Sequence, residues 1–370
     1  MQKKGKLRRV FPGSNSARGF FSFFEQIIDP EKGRIWVIKG GPGNGKSTLM
    51  GKIGQALQEQ GYDLEYHHCA SDSTSLDGLV IPALKTALVD GTFPHVFDPP
   101  FPGAAGEIID LGRFWEAAGL RENKGQIIKL EAEISRRFKQ AHRLLAVAGI
   151  YLEAAESYYR LPGVLNQGAF DNLTLKLMAE IFSAKAQGAE GRVRRLFASA
   201  IAPEGFVHHL DTLLEPLSTV YLLQGEYSSG KSEIIKRVME AALWRGFYVE
   251  VFHCALNPEK IDHLLIPQLG AALVNNTAPH RITPTGTCRE IDSREFMAPL
   301  PEKLQVEKNS LDQKYNEALA AALHFLARAK AGYQELESFY RPHLRFAAVD
   351  RLGQEILASI LEQAAVREAT

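Results

Sequence analysis

Apolar residues along this chain fall into short continuous runs, and several of these runs lead into loops rich in glycine. Such runs are typical of buried strands, whereas apolar steps of three and four residues are typical of helices. Strands are predicted at Leu7–Phe11, Arg34–Gly40, Leu64–Cys69 and Lys85–Asp90, and again at Val193–Ser199, Thr219–Gly225, Tyr248–Cys254 and Ala271–Asn275. An amphipathic helix is expected after the first strand of each set. Strands that alternate with helices predict an α/β fold with a largely parallel sheet.

Two longer segments carry a helical pattern. Apolar residues recur at three- and four-residue steps through Leu120–Arg160 and through Leu311–Leu336. Each segment is long enough to form a helical arm that projects from a sheet or folds back as a hairpin. The apolar stripe is either part of a buried core or the seam of a coiled contact between the two arms.

The chain contains an internal duplication. Arg34–Ile53 matches Thr219–Val238 at an offset of 185 residues, and the match continues downstream, where His68-Cys69 corresponds to His253-Cys254. We therefore predict two tandem domains, over residues 1–188 and 189–370, each with a sheet followed by a long helical segment. The predicted strand at Val193–Ser199 could belong to the first sheet or to the second. If it belonged to the first sheet, the two halves of the chain would be interlocked.

Composition limits the class of protein. Hydrophobic residues make up 45% and charged residues 23%, and 43 basic side chains balance 43 acidic ones. A net charge of zero argues against nucleic acid or an anionic membrane as a partner. Three cysteines without a close CxxC pair do not form a disulfide framework. With no apolar run of membrane-spanning length, we expect a reduced, soluble, cytoplasmic protein.

The segment Gly40–Ser47, GGPGNGKS, fits the Walker A pattern GxxxxGK[ST] between a predicted strand and a predicted helix. Its glycines let backbone amides turn toward an anion, and the helix N-terminus adds partial positive charge. Lys46 can reach the β- and γ-phosphates of ATP, Ser47 can ligate Mg²⁺, and Thr48 can donate to the α-phosphate. Nucleotide contacts are predicted at Gly40, Gly41, Pro42, Gly43, Asn44, Gly45, Lys46, Ser47 and Thr48.

The segment Gly225–Ser232, GEYSSGKS, fits the same pattern. Two tandem P-loop NTPase domains are therefore expected. Glu226 places a carboxylate in this second loop, and Glu233 stands where the first copy has Thr48. Either acid weakens phosphate binding unless its side chain points away from the phosphate. Nucleotide contacts are predicted at Gly225, Ser228, Ser229, Gly230, Lys231 and Ser232, with Ser232 also a Mg²⁺ ligand.

A Walker B acid, at the end of an apolar strand, should help to hold Mg²⁺. Asp90 fits this position in the first copy, and Asp98 is a second candidate. The second copy has Asn275 and Thr283 at the corresponding positions. This difference predicts hydrolysis mainly in the first copy, with Lys46 and Asp90 as catalytic residues, and nucleotide binding or regulation in the second.

The His-Cys pair ends the second strand of each copy, and ligands of open α/β sheets lie at the carboxyl ends of the strands. We therefore expect His68, Cys69 and Asp72 to face the nucleotide. Asp72 or Asp77 could orient an attacking water or a substrate hydroxyl. Cys69 also fits a small buried residue, and His68 a hydrogen-bonded core histidine.

Two further groupings recur in both copies. A metal site could join His68, Cys69 and His95, repeated as His253, Cys254 and His280, although this spacing matches no known ligand pattern. The arginine pairs Arg8-Arg9 and Arg194-Arg195 could supply charge to the other half's γ-phosphate, or could lie in solvent.

The chain resembles a family of uncharacterised bacterial tandem P-loop ATPases, on the strength of the two Walker A loops, the His-Cys pairs, DGTFPHVFDP from Asp90 and RRLFASAI from Arg194. The resemblance covers nearly the whole chain and implies ATP binding without implying a substrate. The second copy departs from it, because it reads NNTAPH from Asn275 where the first reads DGTFPH.

Three functions are compatible with these residues. The first is a Mg²⁺-dependent ATPase whose halves pack as a pseudo-dimer and act on a protein partner through the helical arms. The second is a small-molecule or nucleotide kinase with Asp72 or Asp77 as the base. The third is a nucleotide-gated scaffold without turnover. No NKxD motif occurs, which favours ATP over GTP, and we favour the ATPase.

Overall fold

The computed structural model describes residues 3–29, 31, 33–93, 96–183, 187–226, 229–284 and 286–368. Over these residues the fold is α/β, with two six-stranded, mostly parallel sheets, each followed by a long helix. The first repeat forms β1 Leu7–Val10, β2 Gly13–Ser16, β3 Gly19–Ser22, β4 Arg34–Lys39, α1 Lys46–Glu59, β5 Leu64–His68, β6 Leu76–Ile81, β7 Thr86–Asp90, β8 Gly106–Asp110, α2 Ala117–Glu122, α3 Lys124–Ser157 and α4 Gln167–Ile181. The second forms β9 Arg192–Leu196, β10 Ser199–Ala202, β11 Gly205–His208, α5 Leu210–Leu214, β12 Thr219–Gln224, α6 Lys231–Trp244, β13 Tyr248–His253, β14 Ile261–Ile266, β15 Ala271–Asn275, β16 Thr287–Asp292, α7 Glu302–Tyr340 and α8 Phe346–Glu368.

The two sheets share one topology. The first has the order β1-β5-β6-β7-β4-β8, and the second the same order in β9-β13-β14-β15-β12-β16. In each, the strand that leads into the glycine loop lies between two parallel neighbours, and β6 or β14 runs antiparallel. The antiparallel strand follows from short connections, since a tight loop can only return the chain beside itself. Sequence analysis predicted neither β6 nor β8.

The turn after the antiparallel strand shows how local conformation selects residues. Lys85 closes this turn in the first repeat with a φ of +47°, and Gly270 takes the same place in the second with a φ of +58°. A left-handed residue costs little for glycine and more for lysine. The first repeat therefore carries a small strain that the second avoids.

The amphipathic helix expected after the first strand is wrong in both repeats. Hairpins β2–β3 and β10–β11 occupy these segments, and only a three-residue helical turn or the five-residue α5 follows. Gly19 and Gly205, with φ angles of +87° and +113°, supply the tight turns that a helix would not contain. The head strands β1 and β9 each pair with the second strand of their own repeat, β5 and β13.

The chain forms two compact units that divide it differently from the sequence repeat. Unit 1 contains the residues through Gly13, Ser22–Gln140 and those from His324 onward, and unit 2 contains Ser14–Phe21 and Ala141–Leu323. Each unit therefore combines a sheet from one repeat with the closing helices of the other. Helices α3 and α7 each contribute residues to both units.

The cores of the units follow this exchange. In unit 1, Val349, Ile356 and Ile360 of α8 are buried in one cluster with Met50 and Ile53 of α1. In unit 2, the corresponding cluster joins Phe170, Leu177 and Ile181 of α4 to α6. Each fully buried aliphatic side chain contributes roughly 1.5–3 kcal/mol. The helix that follows each glycine loop is thus stabilised by residues from the other repeat.

The apolar stripes of the two arms are buried against each other in unit 1. There, Ile134 of α3 and Leu336 of α7 share a cluster, and the rings of Phe138 and Tyr333 lie 6.0 Å apart. In unit 2, the Lys314 ammonium lies 5.7 Å from the centre of the Tyr151 ring. The two arms therefore contact each other, and in unit 1 this contact forms part of a buried core.

Candidate functional site

The first glycine loop, Gly40–Ser47, connects the end of β4 to the start of α1. Gly43 and Gly45 have φ angles of +67° and +83°, which turn the chain before α1 begins at Lys46. The Lys46 ammonium donates to the carbonyl oxygens of Gly40 at 3.3 Å and Gly41 at 3.0 Å. The loop thus places a lysine and a helix N-terminus together at the carboxyl end of β4, which suits an anion. Thr48 is exposed on the first turn of α1.

One acid meets this lysine. Asp90 is the last residue of β7, beside β4, and its Oδ2 lies 3.6 Å from Lys46 Nζ. The Ser47 hydroxyl oxygen accepts the Leu76 amide at 2.9 Å and retains a second lone pair. The competing acid, Asp98, is exposed and pairs with Lys39 at 2.9 Å. Of the two candidate acids, Asp90 is the one beside the loop.

Asp77 reaches the same place through a β-bulge. His67 pairs with Gly78 while His68 pairs with Leu76, so Asp77 is an extra residue between them. Bulges re-aim a side chain and are common beside active sites. Burial, followed by the negative charge of Asp90, raises the pKa of Asp77 to about 8. Asp77 is therefore a proton-bearing carboxyl at neutral pH, close enough to sense the charges of both Lys46 and Asp90.

Cys69 and His68 have structural surroundings. Burial raises the pKa of the Cys69 thiol well above its ordinary value, so the thiol stays neutral and is not a nucleophile. His68 is buried, and its Nδ1 lies 2.9 Å from the carbonyl oxygen of Ser73. For His68, the hydrogen-bonded core histidine is the alternative that agrees with the structure, whereas Cys69 is partly buried.

Asp72 is held in its own network. Its oxygens accept from Thr74 Oγ1 at 2.9 Å and Ser75 Oγ at 2.8 Å, and Lys330 Nζ lies 2.9 Å from Oδ1. Partial burial raises the pKa of Asp72, but the hydrogen bonds from Lys330 and Ser75 outweigh burial and lower it. Asp72 therefore anchors the β5–β6 loop to α7. The charge of Lys46 acts instead on Asp77.

Trp115 and residues at the end of α7 line the first loop, which the sequence did not indicate. A Cβ added to Gly41 would lie 2.8 Å from the Trp115 ring, and the Trp115 and Tyr340 rings are 5.4 Å apart. A Cβ added to Gly43 would lie 3.2 Å from Arg341 Cγ. The Arg341 guanidinium donates to Glu337 at 2.7 Å. An arginine from the second repeat is thus packed on the first repeat's loop within unit 1.

The second glycine loop, Gly225–Ser232, holds its lysine in the same way. Lys231 Nζ donates to the Gly225 carbonyl at 2.9 Å and to Ser229 Oγ at 3.1 Å, and the Ser229 hydroxyl also meets Ser293. Burial lowers the pKa of Lys231 to about 8, against the opposing charges of Asp262 and Glu226. Ser228 lies outside the described residues. Burial therefore makes the charged form of Lys231 less favourable than it would be in water.

Two acidic residues near the second loop have side-chain partners of their own. Glu233 accepts from Arg237 Nε at 2.9 Å one helical turn away, so its charge is already paired. Asn275 replaces the strand-end acid, and its amide donates to Asp262 Oδ1 at 3.4 Å. A cavity of about 560 Å³ opens beside the loop and is lined by charged residues of both signs: Glu226, Glu290, Arg281 and Arg294. The opening of this cavity is wide and polar, which suits a polar ligand.

The remaining predicted groups lie elsewhere. Both ring nitrogens of His253 are engaged, with the Pro258 carbonyl at 2.6 Å and Arg195 at 3.0 Å, so His253 is not available as a metal ligand. Arg8 and Arg194 pair with Glu65 and Glu250 on the neighbouring strand of the same sheet, at 3.6 Å and 3.7 Å. His95 lies outside the described residues.

No protein-family profile matches this chain, and neither curated proteins nor solved structures yield a match. Among the helices of the described residues, none is both long enough and apolar enough to cross a bilayer. Functional conclusions therefore depend on the geometry of the two loops.

Proposed function

We propose that the chain is a Mg²⁺-dependent ATPase with two P-loop NTPase domains, in which hydrolysis takes place at the first glycine loop. The observation that carries this proposal is the 3.6 Å approach of Asp90 to Lys46 at the carboxyl ends of two adjacent parallel strands. This pairs a phosphate-binding ammonium with a carboxylate suited to a hard cation.

Several residues of unit 1 have separate proposed roles at this loop. Lys46 and the loop amides would bind the β- and γ-phosphates, and Ser47 and Asp90 would hold Mg²⁺, which neutralises charge on the phosphates. Arg341, whose stem packs on Gly43, would leave its partner Glu337 to stabilise negative charge that develops on the γ-phosphate. Asp77, whose carboxyl is neutral at pH 7, would orient the attacking water by a hydrogen bond and would not accept its proton.

The second loop is proposed to bind nucleotide without efficient hydrolysis. It keeps Lys231 and Ser232 but has Asn275 where a metal-binding acid would stand. An amide is a weaker Mg²⁺ ligand than a carboxylate, so the cation is held less firmly. Nucleotide in this loop would then act as a regulator of the first.

The test is ADP release by the purified full chain with Mg·ATP and no added acceptor. Lys46→Ala should lose nearly all turnover, and Lys231→Ala should keep much of it with altered affinity. Lys52→Ala is the matched control, since Lys52 lies on α1 and forms only an exposed pair with Asp350. Equal loss in Lys46→Ala and Lys231→Ala would contradict the division between the loops. ATP binding without ADP release would instead favour a kinase that awaits its acceptor, or a scaffold.

A further inference from the structure

A second β-bulge, in β14, brings two consecutive side chains to the same place. His253 pairs with Ile261 and Phe252 with His263, so Asp262 is the extra residue. Side chains of successive strand residues normally point to opposite faces, and a bulge removes this alternation. Ligand atoms of Asp262, His263 and His280 consequently all lie within 4.8 Å of one another, and all three residues are buried.

Three ring nitrogens of these two imidazoles are buried without hydrogen-bond partners within the described residues. His263 is 1% exposed, and neither of its ring nitrogens has a hydrogen bond within the described part of the chain. The same holds for His280 Nδ1. Buried polar atoms in folded proteins are nearly always paired, so two histidines in this condition point to a ligand that accepts their lone pairs.

We propose that Asp262, His263 and His280 bind one divalent transition-metal ion, with zinc the best match. Two imidazoles and a carboxylate form a borderline donor set that favours zinc and cobalt over magnesium and calcium. Asp262 Oδ2 and His280 Nε2 lie 3.4 Å apart. Bonds of about 2.0–2.1 Å at a tetrahedral angle separate two ligands by roughly 3.4 Å, so this pair already has the spacing of two zinc ligands.

One further histidine lies near this group. The half-buried His208 has its ring centre 6.3 Å from that of His280.

The site belongs to the second repeat. The first repeat has Asp77 and Gly78 at the corresponding positions of its own bulge, so the imidazole of His263 has no counterpart there. The second repeat has therefore lost the strand-end acid, Asn275 replacing Asp90, and gained a histidine one bulge away. Because Asp262 also acts on Lys231, an ion here lies within electrostatic reach of the second loop.

The experiment titrates tag-free, chelator-treated full-length protein with Zn²⁺ by calorimetry and with Co²⁺ by visible spectroscopy. One equivalent of each metal should bind, and Mg²⁺ should not compete. His263→Gly, which copies the first repeat, and His280→Ala should weaken Zn²⁺ binding at least tenfold. His324→Ala is the control, because His324 is exposed on α7. Unchanged Zn²⁺ binding in both site variants would overturn the proposal.

A measurement on the unaltered protein covers the case in which these variants do not fold. X-ray absorption of protein loaded with one equivalent of Zn²⁺ should show only nitrogen and oxygen ligands near 2.0–2.1 Å, with the outer scattering of imidazole rings. A sulfur shell at about 2.3 Å would place the ion on a cysteine and refute the assignment. The absence of a bound equivalent at micromolar zinc would refute it as well.

Discussion

The carboxylate of Asp90 and the ammonium of Lys46 lie 3.6 Å apart, although the two residues are 44 positions apart in sequence. Strands β7 and β4 make this possible, since they run parallel with Asp90 paired to Ile38. Asp90 therefore ends its strand at the same edge of the sheet where β4 leads into the loop before Lys46. The opposite charges of Asp90 and Lys46 determine the behaviour that we expect of the first loop.

Asp90→Asn should reduce Mg²⁺-dependent turnover by roughly 100-fold or more, the scale seen when one group that stabilises charge is lost. The amide keeps the shape of the side chain but removes the anion that would hold the cation. Asp98→Asn is the matched control, since Asp98 is exposed and pairs with Lys39. Steady-state ADP release across a Mg²⁺ titration measures both. A larger loss in Asp98→Asn would move the metal-binding role to that residue.

Asp77→Asn should flatten the dependence of stability on pH. The folded protein keeps the Asp77 proton up to about pH 8, whereas the unfolded chain releases it near the ordinary pKa of 3.8. The free energy of unfolding therefore falls as pH rises between these values, by at most about 1.4 kcal/mol per pH unit from this group. Urea unfolding at several pH values, beside Asp98→Asn, tests this. Parallel curves for Asp77→Asn and the unaltered chain would contradict the raised pKa.

Arg341→Ala should lower kcat about tenfold or more and leave ATP binding less affected, because the arginine is proposed to act on charge that develops during the reaction. Arg160→Ala is the internal control, since Arg160 is the equivalent residue of the first repeat and belongs to unit 2. Single-turnover rates and nucleotide affinity should be measured on both. Equal effects of the two substitutions would argue against a specific role at the first loop.

Nucleotide affinity at the second loop should decline above about pH 8, where the free Lys231 ammonium loses its proton. A neutral amine attracts phosphate poorly, so affinity should fall by up to about tenfold per pH unit beyond that point. Calorimetry in the Lys46→Ala background isolates this site. Lys231→Ala in the same background should show no such decline. Constant affinity from pH 7 to 9.5 would show that Lys231 does not bind the phosphates.

The sequence predicted the loop and helix that carry Lys46 and the strand that ends in Asp90, because a Walker A loop and an apolar strand ending in an acid are both local patterns. It could not predict the bulges, since nothing in LDGLVI or IDHLLI distinguishes a regular strand from one with an extra residue. The duplication aligns Asp77 with Asp262, but the sequence gives neither acid a defined position. His263 carries no signal in the sequence, because its neighbours His280 and His208 are distant along the chain.

The sequence also could not predict the exchange of closing helices between the two repeats. The stripes of α4 and α8 specify an apolar face, yet they do not specify which glycine-loop helix that face covers. Both sheets offer nearly the same surface, as expected of a duplication. Only long-range packing selects the partner, which is why residues such as Arg341 could not be assigned to the first loop in advance.

The exchange of closing helices also imposes an order on biosynthesis. The sheet of the first repeat is complete once Asp110 has been translated, but unit 1 also requires residues from His324 onward. More than 200 residues must be made in between, including the whole second sheet. A ribosome-bound chain therefore carries α1 with its apolar face uncovered for many seconds at ordinary translation rates. Premature termination anywhere in that interval would leave the first glycine loop without Arg341 and α1 without the residues of α8 that cover it.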